Sequence, residues 1–122
     1  MARFYITTPI YYVNDLPHIG HAYCTVAADV LARYHKLFGD EVHFLTGVDE
    51  HGQKVQQAAE KRGLAPQAHC DEMQLNWRKI WEQLDIQHDI FFRTTDDFHK
   101  KSVQKCRSEE HTSELQSQST IS

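Results

Sequence analysis

The feature that most constrains the fold is a repeated alternation of short β-rich runs with longer segments of helical periodicity. The runs Phe4–Thr8, Val42–Gly47 and Ile90–Phe92 have the length and composition of strands. Helical spacing marks the intervening segments 19–38 and 53–84, with a break at Gly63. A final helix is expected to begin with Thr94 or Thr95 as its cap and the acidic pair at 96 and 97 in its first turn. This order predicts a parallel sheet with crossover helices, a doubly wound α/β fold.

Two of the predicted helices carry apolar stripes. In the first, which Gly39 ends, apolar residues recur at spacings of three and four, as in an amphipathic helix: Ala27, Val30, Leu31, Tyr34, Leu37 and Phe38. In the second, Pro66 suits the first helical position, and we expect its stripe to pack in the core: Cys70, Met73, Trp77, Ile80, Trp81 and Leu84.

Charge and cysteine usage limit the classes of function. The net charge of −4 gives the chain no basic surface of the kind that binds nucleic acid through phosphates alone. Lys100, Lys101 and Lys105, together with Arg93, are interpreted as part of a solvated helix face. The three cysteines are widely spaced, which argues against a disulfide framework or a zinc knuckle and favours a cytoplasmic location. No signal peptide or membrane span is predicted.

The tetrapeptide His18-Ile19-Gly20-His21 follows the first strand and its loop, at the predicted start of a helix. Free backbone N–H groups and the positive end of the helix dipole favour an anion such as phosphate there. Two imidazoles add donors, and Gly20 allows a flat base to approach the backbone. The pattern predicts a nucleotide site. Two other interpretations stay open, a metal site formed by the two histidines and histidines that are simply exposed.

Two longer blocks make this prediction specific. Pro9-Ile10-Tyr11-Tyr12-Val13-Asn14 leads to the tetrapeptide, and Thr46-Gly47-Val48-Asp49-Glu50-His51-Gly52 follows it. In order and spacing these blocks resemble the methionyl-tRNA synthetases, which are class I aminoacyl-tRNA synthetases. The resemblance continues through Phe92-Arg93-Thr94-Thr95 and covers nearly all of residues 3–105. It implies that residues 1–106 form the N-terminal part of a nucleotide-binding, Rossmann-like catalytic domain, the truncated first half of a doubly wound sheet.

The resemblance also implies roles for individual residues. His18 and His21 are the expected catalytic residues, which contact ATP phosphates, and Gly20 lies against adenine. Asp49 pairs with the α-ammonium group of methionine, and Ile10 and Tyr12 line the pocket for its side chain. Further motif residues have no assigned role: Pro9, Asn14, Pro17, Ile19, Glu50, His51 and Gly52.

The implied reaction is that of a methionine–tRNA ligase, which activates methionine with ATP to methionyl-adenylate and transfers it to tRNA(Met). Mg²⁺ would accompany ATP, no metal ligands are expected in this chain, and zinc belongs only to an inserted region that this chain lacks. Two alternatives remain. One is another class I synthetase or nucleotidyltransferase with the His-x-Gly-His signature, and the other is a non-catalytic nucleotide-binding fragment.

The segment 107–122 departs from the pattern, since only Leu115 and Ile121 are apolar among its sixteen residues. We expect it to be disordered or poorly packed. Its first residues resemble the translation of a sequencing adapter, so it is expected to be non-native. The resemblance also places a Lys-Met-Ser-Lys-Ser loop and further sheet in a second half that this chain lacks. We therefore expect an isolated chain of marginal stability that is inactive and exposes a sheet edge and apolar surface.

Overall fold

The computed structural model describes residues 1–114, and side chains as far as residue 110. In this part of the chain strands and helices follow one another in the order β1 (Arg3–Thr7), β2 (Tyr11–Tyr12), α1 (Ile19–Leu37), β3 (Glu41–Asp49), α2 (Gln53–Lys61), α3 (Pro66–Gln83), β4 (Ile90–Arg93) and α4 (Asp97–Glu114). None of the helices in the described residues combines the length and apolar character needed to cross a membrane.

All strand pairs are parallel, and β3 lies at the centre of the sheet. Leu45 is the register partner of both Thr7 in β1 and Ile90 in β4, so β1 and β4 flank β3 on opposite sides. The short strand β2 continues on the β1 side, where Tyr12 is paired with Asp49. The predicted parallel α/β arrangement is confirmed. The residues of β2 were predicted to lie in a loop, because a strand of two residues is too short to show a periodicity.

The core forms where α1 and α3 meet above β2 and β3. The side chains of Val13, Phe44, Val48, Trp77 and Trp81 are fully buried there. The stripe predicted on α3 does pack in this core, although its last residue, Leu84, is 44% exposed. Position 47 in β3 requires glycine, because a Cβ there would lie 2.1 Å from the carbonyl oxygen of Phe92 in β4.

Helix α1 has the predicted bounds, but its apolar stripe does not face the core. The residues that it buries are small or polar: Thr25, Ala28, Asp29 and Ala32. These short side chains let the helix backbone approach the sheet closely. The larger apolar residues lie on the opposite side, with Val30 58% and Leu37 82% exposed. The expectation of uncovered apolar surface is thus confirmed for the described residues, and within them neither β1 nor β4 has a partner strand on its outer edge.

Helix α4 continues past residue 106 to Glu114, eight residues into the segment expected to be disordered or poorly packed. The helix here differs from the expected disorder, and Arg107 and the glutamates at 109, 110 and 114 have favourable helix propensity. Residues 100–110 are all exposed, as poor packing requires. Residues 115–122 lie outside the described residues, and the non-native origin of the segment stays a prediction.

Candidate active site

The functional residues predicted from the sequence gather at the carboxyl edge of the sheet. Strands β1, β2, β3 and β4 all run toward this edge, because they are parallel. The loop after β2 leads directly to His18 and the first turn of α1. Open parallel α/β sheets bind ligands outside the carboxyl ends of their strands, so the location itself favours a binding site.

His18 and His21 form a reciprocal cap at the start of α1. Nδ1 of His18 accepts a hydrogen bond from the backbone N–H of Gly20 at 3.0 Å, and Nδ1 of His21 accepts one from the backbone N–H of His18 at 3.1 Å. The two rings stack with 3.7 Å between their centroids. This is the geometry of a capping box in which imidazoles replace the usual hydroxyl and carboxylate.

The cap determines where each imidazole carries its proton. A ring nitrogen that accepts a hydrogen bond has no proton, so both neutral rings hold theirs on Nε2. Neither Nε2 has a hydrogen-bond partner within the described residues. Burial and the neighbouring His18 lower the pKa of His21, which keeps that ring neutral at pH 7. The start of α1 therefore presents two Nε2–H donors near the positive end of a helix dipole.

The structure changes one premise of the nucleotide prediction. The sequence predicts free backbone N–H groups at the helix start. In the structure the amide of Gly20 donates to His18, and those of His21 and Ala22 donate to the His18 carbonyl at 3.0 and 3.1 Å. The imidazoles, and not these amides, are the donors available to an anion. A Cβ at Gly20 would lie 2.9 Å from Cε1 of His18, so glycine is needed for the cap itself.

The buried aromatic residues Tyr11 and Trp77 pack against His21 and hold its ring in place. Its ring lies 4.8 Å from the centroids of both Tyr11 and Trp77, which stack on each other at 5.3 Å. The Tyr11 hydroxyl lies 3.1 Å from Oγ1 of Thr25 in α1, and burial raises the pKa of that hydroxyl. Three elements thus fix the position of one imidazole, which limits the reorganisation needed to bind an anion.

A cavity of about 320 Å³ opens between β2 and the start of α1. It brings together both histidines and both residues expected in the methionine pocket, and its lining comprises Ile10, Tyr11, Tyr12, Asn14, Asp15, Leu16, His18 and His21. Ile10 is 39% and Tyr12 52% exposed, so their side chains are available to a ligand.

Asp49 ends β3 beside Tyr12, its register partner, although it does not line the cavity. Its Oδ1 accepts a hydrogen bond from the backbone N–H of His51 at 3.1 Å and lies 3.5 Å from Oγ1 of Thr94. Within the described residues Oδ2 has no hydrogen-bond partner. The carboxylate is therefore held through one oxygen and offers the other.

Glu50 and Arg93 form a buried ion pair behind Asp49. Nε and Nη2 of Arg93 contact the two carboxylate oxygens at 2.5 and 2.8 Å, and the Glu50 side chain is fully buried. Arg93 also contacts Asp71 at 2.6 Å, and these hydrogen bonds, with Glu50 the stronger partner, raise its pKa. The interpretation of Arg93 as part of a solvated face is therefore wrong, because β4 turns its side chain toward α3. The side chain of Glu50 contacts Arg93 and has no exposed surface with which to meet a ligand.

The remaining motif residues surround this site. Gly52 begins α2 with φ of +105°, a conformation that side chains rarely adopt. Asn14 lines the cavity, and Pro9 receives a hydrogen bond from Thr8 on its carbonyl at 2.8 Å. Pro17 is half-buried before the cap, whereas Ile19 is 88% exposed.

Three contributors were not identified as site residues from the sequence. Trp77 was assigned to the core, where it does lie, but helical spacing carries no sign that it also contacts His21. Tyr11 belonged to a motif without a role, and Thr94 was considered only as a helix cap. The actual residue before α4 is Asp96, whose carboxylate accepts from the backbone N–H of Arg93 at 3.0 Å. A contact between distant residues, such as that of Trp77 with His21, leaves no pattern in the sequence.

Across the described residues, no group of three or more histidine, cysteine, aspartate or glutamate side chains is arranged to hold a metal ion. His18 and His21 turn their Nδ1 atoms to the backbone and have no acidic or thiol partner in their cap. The open alternative of a metal site at the two histidines has no support in this geometry.

Comparison with known proteins identifies the family. A family model described as tRNA synthetases class I (M) matches residues 4–122. Methionine–tRNA ligase of Thermotoga maritima is 56% identical over 103 residues, and that of Streptococcus pneumoniae 58% over 101 residues. The chain spans only 16% and 15% of these relatives, while 84% and 83% of its own length is matched.

A solved structure of Mycobacterium tuberculosis methionyl-tRNA synthetase in complex with methionyl-adenylate superposes with a TM-score of 0.81 at 44% identity. The match covers 83% of this chain and 20% of that one. The parallel sheet, the capped histidine pair and these matches lead to one assignment: the chain belongs to the class I (M) family of tRNA synthetases.

Proposed function

We propose that this chain is the N-terminal part of the catalytic domain of a methionine–tRNA ligase. The observation that carries the proposal is the His18–His21 cap, which leaves two Nε2–H donors beside a cavity at the carboxyl edge of the sheet. The curated relatives are several times longer than the chain, so the complete activity belongs to a longer polypeptide. The chain alone is expected to be inactive.

In the first step, a carboxylate oxygen of methionine attacks the α-phosphorus of ATP, which is supplied as its Mg²⁺ complex. A new P–O bond forms, the bond to the β-phosphate breaks, and pyrophosphate leaves with methionyl-adenylate as the other product. Nε2–H of His18 and of His21 donate to phosphate oxygens, whose negative charge grows as the bond to the leaving group breaks. The fixed cap supplies these donors with little reorganisation.

Methionine lies on the other side of the same cavity. Ile10 and Tyr12 contact its side chain, and the free Oδ2 of Asp49 binds the α-ammonium group in a charge-assisted hydrogen bond. This contact orients the carboxylate of methionine toward ATP. Such positioning of the attacking group contributes to the rate enhancement. Gly20, exposed in the first turn, lies against adenine.

In the second step, a hydroxyl at the 3′ end of tRNA(Met) attacks the carbonyl carbon of the adenylate, and AMP leaves. Polypeptide beyond this chain provides the tRNA surface, because the chain carries a net charge of −4. We place the reaction in the cytoplasm, a reducing setting that suits the free thiols of Cys24 and Cys106 on the surface.

A chimeric enzyme tests the proposal. Residues 3–105 of this chain replace the aligned segment of about the same length in the Thermotoga maritima ligase, to which it is 56% identical. We expect methionine-dependent exchange of pyrophosphate into ATP. Exchange that depends on another amino acid, such as leucine or valine, would favour the alternative of a different class I synthetase. A folded chimera that binds neither ATP nor methionine would refute the proposal.

A further inference from the structure

The hydroxyl of Thr94 contacts three groups at the carboxyl end of β3. Its Oγ1 is 2.9 Å from the backbone nitrogen of Glu50, 2.9 Å from Nδ1 of His51 and 3.5 Å from Oδ1 of Asp49. Thr94 is buried, with 7% of its surface exposed, and its backbone N–H donates to the carbonyl of Val48 at 3.3 Å. Its position is thus fixed by a backbone hydrogen bond to β3.

The number of protons restricts how these contacts can be made. A hydroxyl has one proton to donate and two lone pairs to accept with, and the Glu50 amide takes one lone pair. If Thr94 donated to His51, the oxygen of Asp49 would face the hydroxyl without a proton between them. If His51 instead carries its proton on Nδ1 and donates to Thr94, the hydroxyl proton is free for Asp49. Only this second arrangement places a proton in each of the three contacts of Oγ1.

We propose that Thr94 is a positioning residue for Asp49, in a chain of hydrogen bonds that runs from His51 through Thr94 to the carboxylate. This inference rests on the proposed function, in which Asp49 binds the ammonium group of methionine. Oδ1 then has two protein donors, the Thr94 hydroxyl and the His51 amide, so the carboxylate cannot rotate freely. Oδ2 is thereby directed toward the substrate. The arrangement also gives His51 a role, as the Nδ1–H donor that orients the Thr94 hydroxyl.

The kinetic test compares Thr94→Val, which removes only the hydroxyl, with Thr94→Ser, which keeps it. Both are made in the chimeric enzyme, and Thr95→Val is the matched control, since within the described residues the threonine hydroxyl that reaches Asp49 is that of Thr94 and not that of Thr95. We expect Thr94→Val to raise the KM for methionine about tenfold, the usual effect of losing a hydrogen bond to a charged group, and to leave the KM for ATP unchanged. Thr94→Ser and Thr95→Val stay within about threefold of the parent.

A substrate analogue separates positioning from a purely structural role. The des-amino analogue of methionine, 4-(methylthio)butanoate, has no ammonium group to meet Asp49. Its inhibition constant is therefore expected to be the same for the parent chimera and for Thr94→Val. Equal losses for methionine, ATP and the analogue would show that Thr94 only supports the fold, and would overturn the inference.

The 122-residue chain itself supplies a test that does not depend on activity. Long-range ¹H–¹⁵N NMR spectra distinguish the two neutral tautomers of His51. A proton on Nδ1 in the chain, and a change of that signal in Thr94→Val but not in Thr95→Val, are the expected results. A proton on Nε2 alone would overturn the inference even if the chimera is active. An inactive parent chimera with the Nδ1–H tautomer would count against the proposed function and leave the hydrogen-bond chain standing.

Discussion

Replacement of Arg93 by leucine is expected to destabilise the fold by about 3 kcal/mol. The guanidinium group contacts both carboxylate oxygens of Glu50, whose side chain is fully buried, so the variant leaves a buried carboxylate without its cation. Breaking a buried pair in this way costs about 3–5 kcal/mol. We take the lower end because 18% of the Arg93 side chain is exposed, which leaves water a path toward Glu50.

The double variant Arg93→Leu/Glu50→Leu removes both charges. It is expected to recover most of the loss and to lie within about 1–2 kcal/mol of the parent, since apolar pairs often replace buried ion pairs without penalty. Arg3→Leu is the control, because Arg3 and Glu41 form an arginine–glutamate pair with side chains 90% and 65% exposed. Such an exposed pair contributes less than about 1 kcal/mol.

Urea unfolding followed by tryptophan fluorescence measures these differences, because Trp77 and Trp81 are both fully buried. With a slope of about 1.5 kcal/mol/M, the Arg93→Leu midpoint falls by about 2 M. If the free energy of unfolding of the parent is below about 3 kcal/mol, we expect Arg93→Leu to be unfolded without urea and Arg93→Leu/Glu50→Leu to be folded. A single variant within about 1 kcal/mol of the parent, or a double variant no more stable than the single one, would refute the reasoning.

Three further predictions concern other parts of the chain. In Gly20→Ala the new Cβ displaces the ring of His18, so the KM for ATP of the chimera should rise about tenfold, while the urea midpoint reflects a change below about 1 kcal/mol. Burial raises the pKa of the Cys70 thiol to about 12, so it stays protonated at pH 8; a thiol reagent should label two of the three cysteines in the native chain and all three in urea. Val30→Glu with Leu37→Glu charges the exposed apolar side of α1, which should reduce self-association in sedimentation velocity without lowering the urea midpoint.

The order of elements and the place of the His18–His21 pair in the fold could be predicted because both depend on local patterns. Gly39 ends α1 and Pro66 begins α3 as expected, and the His18–His21 pair lies at a helix start after a strand. Hydrophobic periodicity and the positions of glycine and proline indicate these features from only a few neighbouring residues.

Other features depend on contacts between distant residues. Spacing located the apolar residues of α1 correctly but could not show which side packs on the sheet, since the buried side is formed by small residues such as Ala28 and Ala32. The same limit applies to Arg93, whose ion-pair partner Glu50 lies 43 positions away in sequence, just past the end of β3. The tautomers of the two capping histidines follow only from the hydrogen bonds of the folded chain.

The proposed function requires that Nδ1 of His21 holds the cap while its Nε2–H donates to the phosphates. Single-turnover formation of methionyl-adenylate by the chimera tests it through two variants, His21→Asn, which keeps an acceptor near Nδ1, and His21→Gln, which keeps a donor near Nε2. We expect the asparagine variant to lose at least about a hundredfold in rate, as after removal of one donor to a transition-state oxyanion, and the glutamine variant to lose about tenfold or less. The reverse order, with asparagine active and glutamine inactive, would contradict the assignment of the two nitrogen atoms.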